Sequence, residues 1–479
     1  MPRSDRRPES LGRMPRREFL GLVGAGAVGL AGCRLMAQQA PTPPAARPNI
    51  LVIVADDLGY ADLGCQGSRD VPTPHIDSLA QNGVRFSDGY VSCPLCSPTR
   101  AGLMTGRYQQ RFGHEFNPGP AVAAEPNVGL PLSEITVANV LKDAGYTTGI
   151  VGKWHLGMSP AFHPLGRGFD EFFGFLGGAH AYYDSGRQPD NPIMRGRQPV
   201  PEREYLTLAF QREAVSFLDR HRDHPFFLYL TFNEVHLPME TLPEYLARFN
   251  HIADPLRRQL AAKLSAMDDA VGAVLAKLAE TGHSRDTLIF FFSDNGGPTD
   301  KNGSLNTPLR GYKTNLYEGG IRIPFLCQWP DRIPAGQVCS KPVIQLDILT
   351  TAAAATGAKL PTDRVIDGVN LLPFLTGENA GVPHEALLWR FGEQHATRRG
   401  DWKVVRPRGG ADELYDLAQD ISETRNLAGA HPDIVRALSD PLAQWESELA
   451  APMWGSGGGA AQRRPAGGGG GFRRGPGRL

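Results

Sequence analysis

The chain has 479 residues, of which 41% are hydrophobic and 21% charged. That length suffices for one large domain plus a smaller one with a substantial buried core, and the composition is ordinary for a soluble globular protein. Its 50 basic and 50 acidic side chains cancel, which excludes a global field that would recruit nucleic acid.

The first 33 residues carry an address. Arg3, Arg6, Arg7, Arg13, Arg16 and Arg17 form a basic region, followed by an apolar run from Phe19 to Leu30 diluted by glycines. The run is too short to span a bilayer, so it reads as a signal peptide over 1–32 rather than a membrane anchor. Arg16-Arg17-Glu18-Phe19-Leu20 resembles the twin-arginine signal, which implies the twin-arginine export machinery as a partner. Leu30-Ala31-Gly32-Cys33 resembles a lipobox, in which Cys33 is lipidated and becomes the mature N-terminus. A simple cleaved signal with an incidental Cys33 is the plainer alternative. The small-residue triplet that ends directly at Cys33 favours the lipoprotein, anchored to a membrane in the periplasm or at the cell surface. Removing 1–32 takes away six Arg, Asp5, Glu9 and Glu18, which leaves the mature chain near neutral. Of the six cysteines, those not lipidated or otherwise altered are free to pair in an oxidising exterior, with no connectivity legible.

Residues 33–48, with Pro41, Pro43, Pro44 and Pro48, read as an extended tether. The globular part begins at Asn49. From 454 to 479 the chain turns Gly- and Arg-rich, a composition that cannot bury apolar surface and reads as a disordered tail. Between these ends, short apolar runs alternate with amphipathic stretches, the pattern of an α/β fold with a mostly parallel sheet. The clearest strands are Ile50–Val54, Thr147–Val151, Phe226–Phe232, Leu288–Phe292 and Ile323–Gln328; Gln259–Leu278 has helical spacing of its apolar residues.

Four of those strands run into polar groups. Ile50–Val54 is followed by Asp56-Asp57, Thr147–Val151 by Lys153-Trp154-His155, Phe226–Phe232 by Asn233 and His236, and Leu288–Phe292 by Asp294-Asn295. Ligands of open α/β sheets bind outside the carboxyl ends of the strands, so these groups converge on one rim. Asp56, Asp57, Asp294 and Asn295 offer hard oxygen donors, which suit Ca²⁺ or Mg²⁺ rather than zinc. Asp268-Asp269, inside the amphipathic stretch, read instead as a solvated helix face. Cys96 precedes Ser97, a plausible N-cap, and Pro98, a good first helical residue, with Gly106 as the stop. Cys96 then sits at the positive end of a helix dipole, where an anionic ester is favoured. A redox pair with Cys93 and a buried structural thiol are the competing readings; the first lacks a thioredoxin-like context.

The segment Cys96-x-Pro98-x-Arg100, followed by Leu103-Met104-Thr105-Gly106-Arg107, resembles the signature of the type I sulfatases. Gly152-Lys153-Trp154-His155-Leu156-Gly157 resembles their second signature. Gly311-Tyr312-Lys313 with Glu318-Gly319-Gly320 resembles their late lysine motif. Trp402-Lys403 and Glu413-Leu414-Tyr415-Asp416-Leu417 are similar to their small terminal domain. The resemblance implies an alkaline-phosphatase-like fold: a large mixed, mostly parallel sheet flanked by helices over 49–370, plus a small C-terminal α+β subdomain over 371–453.

It also implies roles. Cys96 would be oxidised to formylglycine by a formylglycine-generating enzyme. Asp56, Asp57, Asp294 and Asn295, with residue 96, would hold one divalent cation, Ca²⁺ before Mg²⁺, acting as Lewis acid and template. One hydroxyl of the hydrated aldehyde would attack sulfur, and the second would drive sulfate release. Arg100 would stabilise the hydrate and position the metal ligands, and Lys153 and Lys313 would bind sulfate oxygens. His155 would assist breakdown of the sulfated intermediate, and His236 with Lys313 would protonate the leaving oxygen. His180 falls where the family places another sulfate-side residue. Gly166-Arg167-Gly168-Phe169-Asp170-Glu171-Phe172-Phe173-Gly174 is similar to the arylsulfatase and N-acetylgalactosamine-6-sulfatase branch. The implied substrate is therefore a sulfated carbohydrate or an aryl sulfate. Two alternatives remain: a phosphonate monoester or phosphodiester hydrolase of the same superfamily, against which Asn295 speaks, and a non-catalytic lipoprotein that binds sulfated glycans.

Overall fold

The computed structural model describes residues 47–119, 123–183, 186 and 188–455. The expected signal peptide over 1–32, lipidated Cys33, nearly all of the tether and the Gly/Arg-rich sequence after Gly455 lie outside the described residues.

The strands in chain order are β1 (Asn49–Ala55), β2 (Val84–Phe86), β3 (Gly89–Tyr90), β4 (Thr147–Lys153), β5 (Glu171–Phe175), β6 (Met194–Arg195), β7 (Gln198–Pro199) and β8 (Phe226–Thr231). They continue with β9 (Thr287–Ser293), β10 (Phe325–Gln328), β11 (Gln337–Cys339) and β12 (Val343–Ile344). Ten of them form one sheet in the order β11-β2-β10-β9-β1-β8-β4-β5-β6-β7, while β3 pairs with β12. At its centre β9, β1, β8, β4 and β5 run parallel, with Val54 opposite Thr231 on one side and Phe292 on the other. This is the large mixed, mostly parallel sheet that the sequence predicts.

Every residue of β1 is buried. Ile50, Val52 and Val54 join one hydrophobic core, and Leu51, Ile53 and Ala55 join the core on the opposite face. A strand covered on both faces reads as an unbroken apolar run, which is why these strands are legible without alternation. On one face lies the helix Pro255–Glu280, started by Asp254, whose carboxylate accepts the backbone N–H groups of Leu256 and Arg257. Asp268 lies within it, and its carboxylate caps another helix by accepting the N–H groups of His75 and Ile76. The helix Cys96–Thr105 packs on the other face through Ala101, Leu103 and Met104.

The strand expected over Ile323–Gln328 starts later, at Phe325, and runs antiparallel to β9. Pro324 cannot donate to a ladder, and its carbonyl accepts Ser293 N–H at 3.3 Å. All five described cysteines, Cys65, Cys93, Cys96, Cys327 and Cys339, are free thiols.

A separate antiparallel sheet, β13 (Leu387–Phe391), β14 (Gln394–Arg399), β15 (Trp402–Arg406) and β16 (Glu413–Asp416), forms the C-terminal region with the helix Pro432–Ser447. It is fastened to the rest by buried contacts. Trp389 Nε1 donates to Val91 O at 2.8 Å, and Lys403 Nζ lies 2.8 Å from both Glu318 Oε1 and Glu423 Oε1. Trp454, at the start of the expected tail, is buried with its indole N–H on Phe116 O, so the packed chain runs past the expected boundary at 453.

Candidate active site

The carboxyl ends of β1, β9, β8 and β4 lie side by side, and the polar residues after them converge. Asp56 and Asp57 follow β1, and Asp57 adopts a left-handed φ of 66°, which a short polar side chain tolerates better than most. Asp294, next after β9, is hydrogen-bonded through its backbone N–H to Ala55 O, and its Oδ1 accepts Asp57 N–H at 3.3 Å. Asn295 donates from Nδ2 to Asp57 Oδ1 at 2.7 Å, and its own Oδ1 is buried without a partner among the described residues.

The helix Cys96–Thr105 enters with its N-terminus against this cluster. Cys96 Sγ lies 3.4 Å from Asp56 Oδ1 and 3.3 Å from Lys313 Nζ. The expectation that Ser97 is the N-cap is corrected here: the helix begins at Cys96 with Leu95 as its cap residue, and Gly106 closes it at φ 63°. Ser97 N–H is satisfied by Asn117 Oδ1 at 2.9 Å, and the Ser97 hydroxyl donates to His155 O at 2.6 Å. A partner distant in sequence thus replaces the local cap. Arg100, one turn on, is buried; it donates from Nε to Asp294 Oδ2 at 3.0 Å and from Nη1 to Lys153 O at 3.1 Å, and its Nη2 stands 2.9 Å from the same Asp294 oxygen as an ion pair.

Gly152 brings β4 close to β8: at φ 117°, a Cβ there would stand 1.9 Å from Thr231 O. Lys153 follows, fully buried, with Nζ 2.5 Å from Asp56 Oδ2, and Lys313 Nζ reaches Asp57 Oδ1 at 2.5 Å. His236 Nε2 lies 3.7 Å from Asp57 Oδ2. His155, at φ 59°, has its ring under Gly178, where a Cβ would come within 2.5 Å of Nε2. Cys96, His155, His236, Asn117, Gly178 and Asp190 help line one cavity of about 580 Å³.

His180 is the exception. It is buried next in chain to this cavity's wall at Ala179, but its ring lies against Phe175 with Nδ1 bound to Ala181 O at 2.7 Å. Among the described residues no contact joins it to Cys96 or the two lysines. Asn117 was not singled out in the sequence; it stands in a loop outside any motif, and no periodic signal marks it.

The electrostatics follow from burial and charge. Burial opposes ionisation of Asp56, yet Lys153, His236, Arg100 and Lys313 outweigh it and hold its carboxyl well below the usual range. Asp294 is pushed up to about 6 by burial and the adjacent Asp56. Burial, Asp294 and Asp56 push the Cys96 thiol far up and so disfavour its thiolate. Burial, Lys153 and Arg100 hold His155 well below the ordinary histidine value, and therefore neutral.

The donor set suits a hard divalent cation. Asp56, Asp57, Cys96 and Asp294 each bring a ligand atom within 4.8 Å of the others. With the orphaned Asn295 Oδ1 beside them, this is an oxygen-rich cradle of the kind Ca²⁺ and Mg²⁺ take, with neither the thiolates nor the His cluster of a zinc site.

Residues 48–358 match the sulfatase family, and residues 312–448 match the C-terminal region of N-sulphoglucosamine sulphohydrolase. The chain is 38% identical over 365 residues to the N-acetylgalactosamine-6-sulfatase of Rattus norvegicus, covering 72% of this chain and 68% of that one. It is 35% identical over 457 residues to the steryl-sulfatase of Mus musculus, covering 78% and 72%. The solved structure of Ps i-CgsB in complex with k-i-k-neocarrahexaose superposes with a TM-score of 0.81 at 37% identity, over 85% of this chain and 94% of that one. The phosphonate monoester hydrolase of Agrobacterium radiobacter, 20% identical with a TM-score of 0.62, shares the fold.

Proposed function

The chain belongs to the sulfatase family and is a hydrolase of sulfate esters, and we propose that it cleaves sulfate monoesters of carbohydrates through a formylglycine derived from Cys96 and one divalent cation, Ca²⁺ first. The observation that carries the proposal is the position of Cys96 Sγ, at a helix N-terminus, 3.4 Å from Asp56 Oδ1 and 3.3 Å from Lys313 Nζ. Burial and the acidic neighbours disfavour a Cys96 thiolate, which fits the oxidative conversion that gives the family its nucleophile better than direct attack by sulfur.

Asp56, Asp57, Asp294 and Asn295, with residue 96, are the residues that would hold the cation, which supplies Lewis-acid polarisation of sulfate oxygens. Oxidised to the aldehyde and hydrated, residue 96 carries two hydroxyls, one to attack sulfur and one whose deprotonation releases sulfate. The remaining chemistry belongs to this chain's own side chains. Lys153, buried, and Lys313, partly buried, are cations beside residue 96, placed to neutralise charge on sulfate oxygens as it develops. His236, near Asp57 at the cavity, can give a proton to the leaving alcohol oxygen. His155, held neutral, can take the proton from the second hydroxyl. Arg100 keeps Asp294 and the carbonyl of Lys153 in register. The carbohydrate substrate is supported by the N-acetylgalactosamine-6-sulfatase relatives and by the carbohydrate-bound structural neighbour. The basic, apolar and Cys33 order of the N-terminus supports export and a lipid anchor.

The test is paired sulfate and phosphate release from matched aryl esters and sulfated oligosaccharides. The protein is co-produced with a formylglycine-generating enzyme, and Cys96→Ala serves as control. Sulfate release that vanishes in the control is expected, with mass spectrometry reporting aldehyde at residue 96. Dominant phosphate or phosphonate hydrolysis would overturn the choice of ester.

A further inference from the structure

A second cavity, of about 550 Å³, opens beside the first and is lined in part by the C-terminal sheet. The two share Asn117 as a wall. Leu95 and Thr314, which also line the second, are the immediate chain neighbours of Cys96 and Lys313. Thr314 holds a left-handed φ of 78°, a conformation a β-branched residue enters only at a cost. It is fixed there by its N–H on Pro94 O at 3.0 Å and its carbonyl under Gln394 Nε2 at 2.9 Å. One strained residue therefore sends Lys313 into the reacting cluster and lays the next stretch of backbone along the second cavity.

The lining has a definite chemistry. Leu95, Phe391 and Pro407 give it apolar surface, and no acidic side chain lines it. Asn117 and Asn315 spend their Oδ1 atoms on Ser97 N–H and Tyr312 N–H, and their Nδ2 groups donate to nothing among the described residues. Arg408, in the turn between β15 and β16, is exposed at the rim and makes no ion pair or hydrogen bond among the described residues, whereas Arg406 is paired with Asp412. Two idle amides and one idle guanidinium over an apolar floor form a site for a sugar ring bearing an anion.

We propose that this cavity is a subsite for the sugar adjoining the sulfated one, and that Arg408 selects neighbours carrying an anionic group, a second sulfate or a uronate carboxylate. The inference rests on the carbohydrate sulfatase reading and extends it. Substrates are then oligosaccharides charged on two consecutive sugars, with the C-terminal sheet reading the second charge. Because Arg408 is exposed, the discrimination is modest, about three- to tenfold.

The experiment compares sulfated disaccharides whose neighbouring sugar is neutral, sulfated or a uronate, measured as kcat/KM for the wild-type enzyme, Arg408→Ala and Arg408→Lys. The expected result is a wild-type preference for the charged neighbours that Arg408→Ala abolishes through KM and Arg408→Lys partly restores. The sulfate and uronate arms identify which anion is read. Equal preference in wild type and Arg408→Ala overturns the proposal, as does a wild type indifferent to the neighbour's charge. Thermal melting of each variant guards against misfolding. Aryl sulfate turnover by the wild type tests the sulfatase reading separately. Calorimetric titration of the same disaccharides into Cys96→Ala, with and without Arg408→Ala, tests the subsite without turnover; the same ratio of affinities is expected, and its absence is decisive against Arg408.

Discussion

Arg100 donates from Nε to Asp294 Oδ2 at 3.0 Å and brings Nη2 to 2.9 Å from the same oxygen as an ion pair, and neither side chain is open to solvent. The remaining guanidinium nitrogen, Nη1, reaches Lys153 O and the hydroxyl of Thr231. One side chain on the Cys96 helix thereby ties together the ends of β9, β4 and β8. A lysine carries the same charge but cannot present a fork. Arg100→Lys is expected to lower kcat by roughly a hundredfold through misplacement of the site, and to lower the melting temperature because the ammonium leaves buried acceptors of the guanidinium unmet. Wild-type kcat in a folded Arg100→Lys enzyme would remove Arg100 from the positioning of the site.

The cysteines separate by role. Cys93 Sγ is buried with only Glu115 O nearby, at 3.9 Å, and Cys96 is free. Cys93→Ser is expected to retain most activity, since no step uses the thiol. Cys96→Ala is expected to abolish it in protein of unchanged stability. Complete loss of sulfate release in folded Cys93→Ser would contradict the assignment of Cys96 as the modified residue.

Why the sequence discloses some of this site and hides the rest is a matter of range. β1, β8 and β9 are buried on both faces and read as apolar runs, β4 reads more faintly through Ile150 and Val151, and the polar residues that follow these strands stand out: Asp56, Lys153, His236 and Asp294. Ser97 misleads because local capping rules assume that the first free N–H is met by a neighbour, whereas Asn117 meets it from twenty residues on. His180 is suggested by no motif of its own, only by its place relative to the family's pattern, and in the structure its ring lies against Phe175. The contact of Lys403 with Glu318 and the cavity lining in which Asn117 meets Thr314 arise between segments far apart in the chain, which no periodicity records.

The cation prediction follows from the donor set. Treatment with a chelator is expected to abolish sulfate release, and Ca²⁺ to restore it more fully than Mg²⁺. Because the ion binds only the folded cluster, saturation at about a hundredfold over Kd should stabilise the protein by about 2.7 kcal/mol. Asp294→Asn should reduce both effects. Full activity in exhaustively chelated protein would exclude the cation from catalysis.

Lys403 joins the C-terminal sheet to the segment that carries Lys313. It lies buried between Glu318 and Glu423 at 2.8 Å from each, and Glu318 N–H also donates to Glu423 Oε2 at 2.7 Å. Lys403→Met removes the ammonium from between two buried carboxyls, leaving Glu318 with Arg322 at 3.2 Å and Glu423 with no cation beside it among the described residues. The expected cost is about 3–5 kcal/mol in denaturant unfolding, with a rise in KM as the 311–320 turn loosens. A Lys403→Met protein as stable as wild type would show that the two carboxyls are protonated in the fold and need no cation.

A pH dependence of stability is expected from His384 and Asp347. Asp347 is buried and accepts Ile344 N–H and Val369 N–H at 2.9 and 2.8 Å, and His384 Nε2 lies 2.8 Å from its Oδ1. Burial works against a charged imidazole here, but the carboxylate outweighs it and raises the pKa of His384 above its ordinary 6.5. A group whose folded pKa is raised binds its proton more tightly in the folded state. Its stabilisation is therefore fully present below the unfolded value and is lost as pH rises through the folded one. A hydrogen bond to a charged partner is worth about 1.5–3 kcal/mol. Denaturant midpoints measured from pH 5.5 to 8.5 should thus fall more steeply for wild type than for His384→Gln, and the two curves should converge at the alkaline end. Parallel curves across that range would mean that His384 binds its proton equally well in the folded and unfolded states, so that Asp347 does not raise its pKa.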